Sequence, residues 1–159
     1  MTDQKPPALN PLTPDEQAFI RSFVRLIHGY PRALGALLDR EQRISLSEYL
    51  TLMHLSEAPG RQLRMSELAG GCDLSLSGMT RIVDRLEKDG FITRVQDAKD
   101  GRGANAVLTE TGLQRLQQAW PTFLAGARRY LFDHLDGLPL RDIGTAFQAA
   151  ATATDRAAR

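Results

Sequence analysis

The chain has 159 residues, a formal charge of +1, 42% hydrophobic and 25% charged residues, the make-up of an ordinary globular domain with room for one core. No apolar run approaches the roughly 18 residues of a membrane span, and the N-terminus lacks a signal peptide's basic and apolar segments, which predicts a cytoplasmic protein. Cys72, the single cysteine, has no internal disulfide partner, and His28, His54 and His134 lie far apart with no cysteine beside them, so no metal or cofactor is expected.

Residues 1–12, with Pro6, Pro7 and Pro11, read as a flexible arm. Thr13-Pro14-Asp15-Glu16 is a helix start, with a Thr cap, Pro in the first turn and Glu placed to bond back. Phe19, Ile20, Phe23, Val24 and Ile27 then recur at helical spacing, and Leu34, Leu37 and Leu38 continue the stripe. Gly29-Tyr30-Pro31 between them predicts a kink or break, because Pro lacks a donor and crowds the preceding turn. Ser45-Leu46-Ser47-Glu48 is a second capping box, opening a helix that runs to Glu57 and stops at Ala58-Pro59-Gly60.

An extended piece (Gln62–Met65), a short helix capped by Ser66, and the loop Gly71-Cys72-Asp73 come next. A longer helix is predicted from about Ser75 to Asp89, ending at Gly90. Phe91–Gln96 and Ala104–Thr109 have strand composition around a tip rich in Asp, Lys and Gly, which is a β-hairpin with a long loop. Thr109 caps a further helix striped by Leu113, Leu116, Trp120, Leu124, Ala127 and Leu131, with a bend expected at Pro121. After Asp136-Gly137 a last helix carries Leu140, Ile143 and Phe147. The division expected is an arm (1–12), an N-terminal helical region (13–44), a central lobe (45–109) and C-terminal helices (110–159). The flanking helices are apolar-striped and too few to bury themselves, so a helical dimer is expected.

On a helical wheel, Leu76, Met79, Ile82, Val83 and Leu86 share one side of the Ser75–Asp89 helix. Ser77, Thr80, Arg81, Asp84, Arg85 and Lys88 share the other. Short hydroxyls and arginines near a helix start suit the major groove, where Arg pairs bidentately with guanine. The ordinary alternative is a solvated charged face in which Asp84 and Lys88 pair at i,i+4. Residues 61–102 hold eight Lys/Arg against seven Asp/Glu, so the placement of charge matters more than its sum. The hairpin tip Asp97-Ala98-Lys99-Asp100-Gly101-Arg102-Gly103 offers cations to a narrow minor groove, or is simply a polar turn.

The run LSLSGMTRIVDRLEKDGFITRVQDAKDGRGANAVLTETG (Leu74–Gly112) resembles the MarR family of bacterial winged-helix regulators. The likeness lies in the S-x-x-T-R-x-V-D-R-L-E-x-x-G segment, the acidic-x-arginine tip and the L-T-x-x-G exit into the following helix. The resemblance implies a mainly α (α+β) fold, a winged helix-turn-helix with N- and C-terminal dimerisation helices. It implies a homodimer binding double-stranded DNA at a pseudo-palindromic site, acting as a ligand-responsive repressor. Carried over by residue, Ser75, Ser77, Thr80, Arg81 and Arg85 would face the major groove or its phosphates, with Gly78 allowing close approach or merely tolerated. Lys99 and Arg102 would serve from the wing, with Asp100 bracing Arg102 and Arg94 as a further ionic and DNA-facing partner. Here Gly101 and Gly103 flank Arg102, where the family has a denser basic tip.

The resemblance also implies a phenolic or aromatic effector. Phe19, Phe23, His28, Tyr30, Tyr49, His54 and Trp120 are candidates to line its cavity, although apolar core is the ordinary role of such a stripe. Cys72, just before the Ser75 helix, is either a thiol activated by a helix N-terminus or a small inert one. Family members that sense oxidants carry their cysteine in the first helix, which has none here, so the inert reading is expected. No serine elbow, phosphate loop, paired-carboxylate site or metal motif is present, so no catalysis is expected. A winged helix that binds a protein partner is the competing class.

Overall fold

The computed structural model describes residues 10–96 and 104–157. The helix α1 (Pro14–Gln42) begins at the expected box: Thr13 Oγ1 accepts from the Glu16 N–H, and Glu16 Oε2 accepts from the Thr13 N–H at 2.7 Å. It does not break at Pro31. One missing backbone bond costs about 3 kcal/mol, whereas the turns beyond it bury Leu34, Leu37 and Leu38, each worth roughly 1.5–3 kcal/mol. The helix α2 (Leu46–Glu57) starts at the second box, with Ser45 as its cap and Glu48 bonding back.

The strand β1 (Gln62–Arg64) leads directly into α3 (Met65–Gly71). The cap is Arg64 and not Ser66 as expected: Glu67 Oε2 accepts from the Arg64 N–H at 3.1 Å, starting the helix two residues earlier. The helix α4 (Leu76–Lys88) follows, capped by Ser75 and ending before Gly90, whose φ of 75° is the left-handed conformation that glycine adopts freely. The hairpin strands are β2 (Ile92–Gln96) and β3 (Ala104–Leu108). The sheet has a third member: β1 pairs antiparallel with β3, giving the order β1-β3-β2 with Leu63 opposite Ala106 and Arg94 opposite Ala106 on the other side. The helices α5 (Glu110–Tyr130) and α6 (Leu140–Ala157) complete the chain, and α5 runs unbroken through Pro121.

The core gathers Tyr49, Leu52 and Leu55 of α2, Leu68 of α3, Met79, Val83 and Leu86 of α4, and Ile92, Ala106 and Leu108 of the sheet. Leu34 and Leu38 of α1 and Leu116 and Ala119 of α5 close it from the other side. Gly112 sits where the lobe meets α5, and a Cβ there would lie 2.1 Å from the Phe91 carbonyl oxygen. That contact is the physical reason for glycine in the L-T-x-x-G exit. Two polar links tie α1 to α5: Gln42 Nε2 donates to Thr122 Oγ1 at 2.8 Å, and the Arg115 guanidinium donates to the Gln42 carbonyl.

Several flanking aromatics expected in the core are not there. Phe19 is 60% exposed, Trp120 is 48% exposed and His28 is exposed, while Phe23, Tyr30 and His54 are only partly buried. Tyr49 alone of that set is fully buried, stacked on Phe123 with ring centroids 4.5 Å apart. The helix α6 buries no residue, although Phe147 reaches Phe23 of α1 at 5.5 Å between centroids. No helix among the described residues is long and apolar enough to cross a membrane.

Candidate nucleic-acid interface

The orientation of α4 is set by its apolar face. Met79, Ile82, Val83 and Leu86 are buried, and four such side chains at roughly 1.5–3 kcal/mol each outweigh any surface ion pair on the opposite side. Ser75, Ser77, Thr80, Arg81, Asp84, Arg85 and Lys88 are consequently exposed together. Leu76 departs from the expected pattern: it lies at the first helical position of α4 and is 55% exposed.

The hydroxyls of the first turn bond to one another and to the helix. Ser75 Oγ accepts from the Gly78 N–H at 3.1 Å and lies 3.2 Å from Ser77 Oγ. Thr80 Oγ1 donates to the Leu76 carbonyl at 2.8 Å. A Cβ at Gly78 would meet Ser75 Oγ at 3.2 Å, so glycine eases the cap.

The charges are arranged in a way that their sum conceals. Asp84 does not pair with Lys88. Its Oδ1 lies 2.6 Å from Arg94 NH2, and Glu87 Oε2 lies 3.0 Å from Arg94 NH1. The Arg94 N–H also donates to Glu87 Oε1, and its NH2 donates to the Thr80 carbonyl. Arg94 on β2 is thus engaged with α4 on several sides, with its side chain 28% exposed. Both acids of the α4 surface are occupied by it. Arg81 and Lys88 make no ion pair among the described residues. Arg85 Nε lies 3.5 Å from Glu48 Oε1, the same carboxylate that caps α2, with the arginine side chain still 65% exposed. Arg81, Arg85 and Lys88 therefore form a cationic outward strip.

Sequence reasoning missed the pin from Arg94 to Asp84 and Glu87 and the link from Arg85 to Glu48. Both join different elements, and no local spacing rule reaches across them. The opposite signs on α4 and β2 were the only available hint. Lys99, Asp100 and Arg102 lie outside the described residues. Burial pushes the Cys72 thiol pKa up, an effect larger than the lowering by its contact with Thr51 Oγ1 at 3.8 Å. Burial thus opposes activation of the thiol at the α4 N-terminus and favours its inert reading. Among the described residues no group of three His, Cys, Asp or Glu side chains is placed to hold a metal.

A short helix, a tight turn, a second helix with an outward cationic strip, and a hairpin beside it define a winged helix-turn-helix lobe. The sequence model of the MarR family matches residues 44–103, which span the lobe from the start of α2 to the wing. The HTH-type transcriptional regulator PrsX of Escherichia coli is 31% identical over 118 residues, covering 72% of this chain and 68% of its own. Among solved structures, the MarR-family regulator Sco3205 of Streptomyces coelicolor, in complex with DNA, aligns at a TM-score of 0.81 and 31% identity over 90% of each chain. AbsC of the same organism aligns at 0.82 and 28% identity, covering 92% of this chain and 99% of its own. The chain belongs to the MarR family and is a transcriptional regulator, not an enzyme.

Proposed function

We propose that the protein is a homodimeric, sequence-specific repressor that binds a pseudo-palindromic operator in double-stranded DNA in the cytoplasm. The observation that carries this reading is the outward strip of Arg81, Arg85 and Lys88, left cationic because Arg94 occupies Asp84 and Glu87. Arg81 and Arg85 enter the major groove and pair with bases or phosphates, and Ser75, Ser77, Gly78 and Thr80 face the same groove or its phosphates. Arg94 acts mainly by positioning α4 and removing acid from the face. Lys99 and Arg102 contact the DNA from the wing, with Asp100 bracing Arg102.

Homodimerisation rests on what the single chain leaves uncovered. Phe19, Ile20, Val24 and Ile27 of α1 and Leu140 and Phe147 of α6 are all exposed large apolar side chains. A stripe of that size is normally covered by another chain. Two α4 helices related by a two-fold axis then meet successive major grooves, with half-sites about one helical turn apart. Repression follows where such a site overlaps a promoter. Sco3205, a relative with 31% identity, has been crystallised on DNA, which supports the same partner here.

Response to a phenolic or aromatic effector belongs to the same proposal. A groove of about 670 Å³ between α1 and α6, walled by Phe23, Leu26, Tyr30, Pro31 and Phe147, is of a size for it. Such a ligand releases DNA only by favouring a dimer arrangement with mis-spaced lobes.

The test is a fluorescence anisotropy titration against genomic fragments recovered by the protein, over a series of salt concentrations. Sequence-preferring binding that weakens steeply with salt is expected. Binding that ignores sequence and salt would favour a protein partner for the lobe instead.

A further inference from the structure

Nearly all exposed large apolar side chains among the described residues lie on the flanking segments and helices: Leu12, five on α1, Trp120 and Leu124 on α5, and Phe132, Leu138, Leu140 and Phe147 beyond. Among the lobe's described residues the only exposed large apolar side chains are Leu76 and Val95, at 55% and 50%, one in the first turn of α4 and one on the wing strand. Leu76 therefore lies away from the apolar stripe assigned to the dimer. It sits in the turn of a recognition helix that reaches deepest towards base edges.

Its neighbours reinforce the point. Ser75 Oγ and Ser77 Oγ are linked to each other and to the Gly78 N–H. Thr80 Oγ1 is turned back onto the Leu76 carbonyl at 2.8 Å. With its hydroxyl on the helix, the group Thr80 has left to present is its methyl. Leu76 and Thr80 stand at i and i+4, neighbours on one helix face. They form an apolar strip ahead of the cationic one. The apolar feature of the major groove is the thymine 5-methyl group, absent from cytosine and from both purines.

From this juxtaposition we infer that Leu76 and Thr80 read a thymine methyl in each half-site, so that specificity rests on an apolar contact as well as on Arg81 and Arg85. The inference depends on the placement of α4 in the major groove proposed above.

The experiment uses the full-length protein and an operator fragment selected from random duplex DNA. Each thymine is replaced in turn by deoxyuridine, which removes the methyl and leaves the base's hydrogen-bonding groups unchanged. One position per half-site is expected to lose affinity about fourfold, the worth of one buried methyl-sized group. Leu76→Ala should bind the thymine operator more weakly and lose less than the native chain on the deoxyuridine one. Thr80→Ser, which deletes the methyl, should reduce the discrimination, while Thr80→Val should keep it. Unchanged thermal midpoints for these exposed positions verify folding. Tolerance of deoxyuridine at every position, or losses from Leu76→Ala and deoxyuridine that simply multiply, overturns the inference. Arg81→Ala separates the two levels. If it weakens binding while no deoxyuridine matters, α4 stays in the groove and only the methyl contact is wrong. If it too has no effect, the placement of α4 fails and the inference fails with it.

Discussion

The winged lobe and the helical frame place their apolar residues differently. In the lobe, α2, α3, α4 and the sheet turn their stripes onto one another, and Met79, Val83, Leu52 and Ile92 are fully buried. In the frame, α1 and α6 also carry apolar stripes, but Phe19, Ile20 and Val24 of α1 remain open and α6 buries nothing. The lobe is held together by contacts within the chain. The frame adds Leu34, Leu38, Leu116 and Ala119 to the lobe's core and leaves much of its stripe open, the face assigned above to the proposed dimer. In the proposed dimer, DNA-reading chemistry would belong to the lobe, whereas the spacing of two lobes on DNA would depend on association of the frames.

The sharpest break of that comparison targets the frame. Val24→Asp with Ile27→Asp places two charges in the proposed dimer seam, where loss of central apolar contacts costs about 2–4 kcal/mol or more. Sedimentation should show monomers at concentrations where the native chain is dimeric. Operator affinity should collapse with it, while the lobe's circular dichroism persists. A variant that stays dimeric and binds normally would show that the seam lies elsewhere. The next largest effect is expected where lobe and frame join. In Gly112→Ala the new Cβ meets the Phe91 carbonyl oxygen at 2.1 Å. Destabilisation by roughly 1–3 kcal/mol is expected from the forced backbone shift, read as a lowered thermal midpoint.

The lobe was also the more legible region. The caps expected at Thr13, Ser45 and Thr109 are local rules and all three form, whereas the one expected at Ser66 moves to Arg64. The buried face of α4 follows from its period apart from Leu76, whose exposure depends on what packs beyond the helix end. Pro31 misled because a local penalty was set against packing that only the assembled α1–α5 contact supplies. The frame aromatics misled for the opposite reason: an apolar stripe says that something covers it and not which chain does so. The outward placement of Arg81 and Arg85 was readable from helix period, but the capture of Asp84 and Glu87 by Arg94 was not. Arg94 lies on a strand whose register no helix rule contains.

Within the lobe, two arginine classes should separate. Arg81→Ala and Arg85→Ala should each weaken specific binding by about 1–3 kcal/mol without altering the fold. Arg94→Ala should weaken it too, but by a different route, since Asp84 and Glu87 are then left facing phosphate. Adding Asp84→Asn to Arg94→Ala should therefore restore part of the affinity, which the same substitution cannot do for Arg81→Ala. Equal behaviour of the two double variants would mean that Arg94 itself reads DNA.

The smallest effect is expected at the seam between the two regions' packing. Tyr49 of α2 is fully buried against Phe123 of α5, and its hydroxyl has no hydrogen-bond partner among the described residues. Burial first, and the Glu57 carboxylate second, push its pKa from the usual 10.0 up to about 12. The fold thus favours the protonated phenol more than the unfolded chain does. Its contribution to stability is complete below pH 10 and fades as pH rises towards 12. Tyr49→Phe removes an unbonded buried hydroxyl while keeping the ring stack, so stability near neutrality should hold or rise by up to about 1 kcal/mol. The loss of stability between pH 10 and 12 should shrink with it. Urea melts across that interval measure both; an unchanged alkaline slope would mean that groups other than Tyr49 govern it.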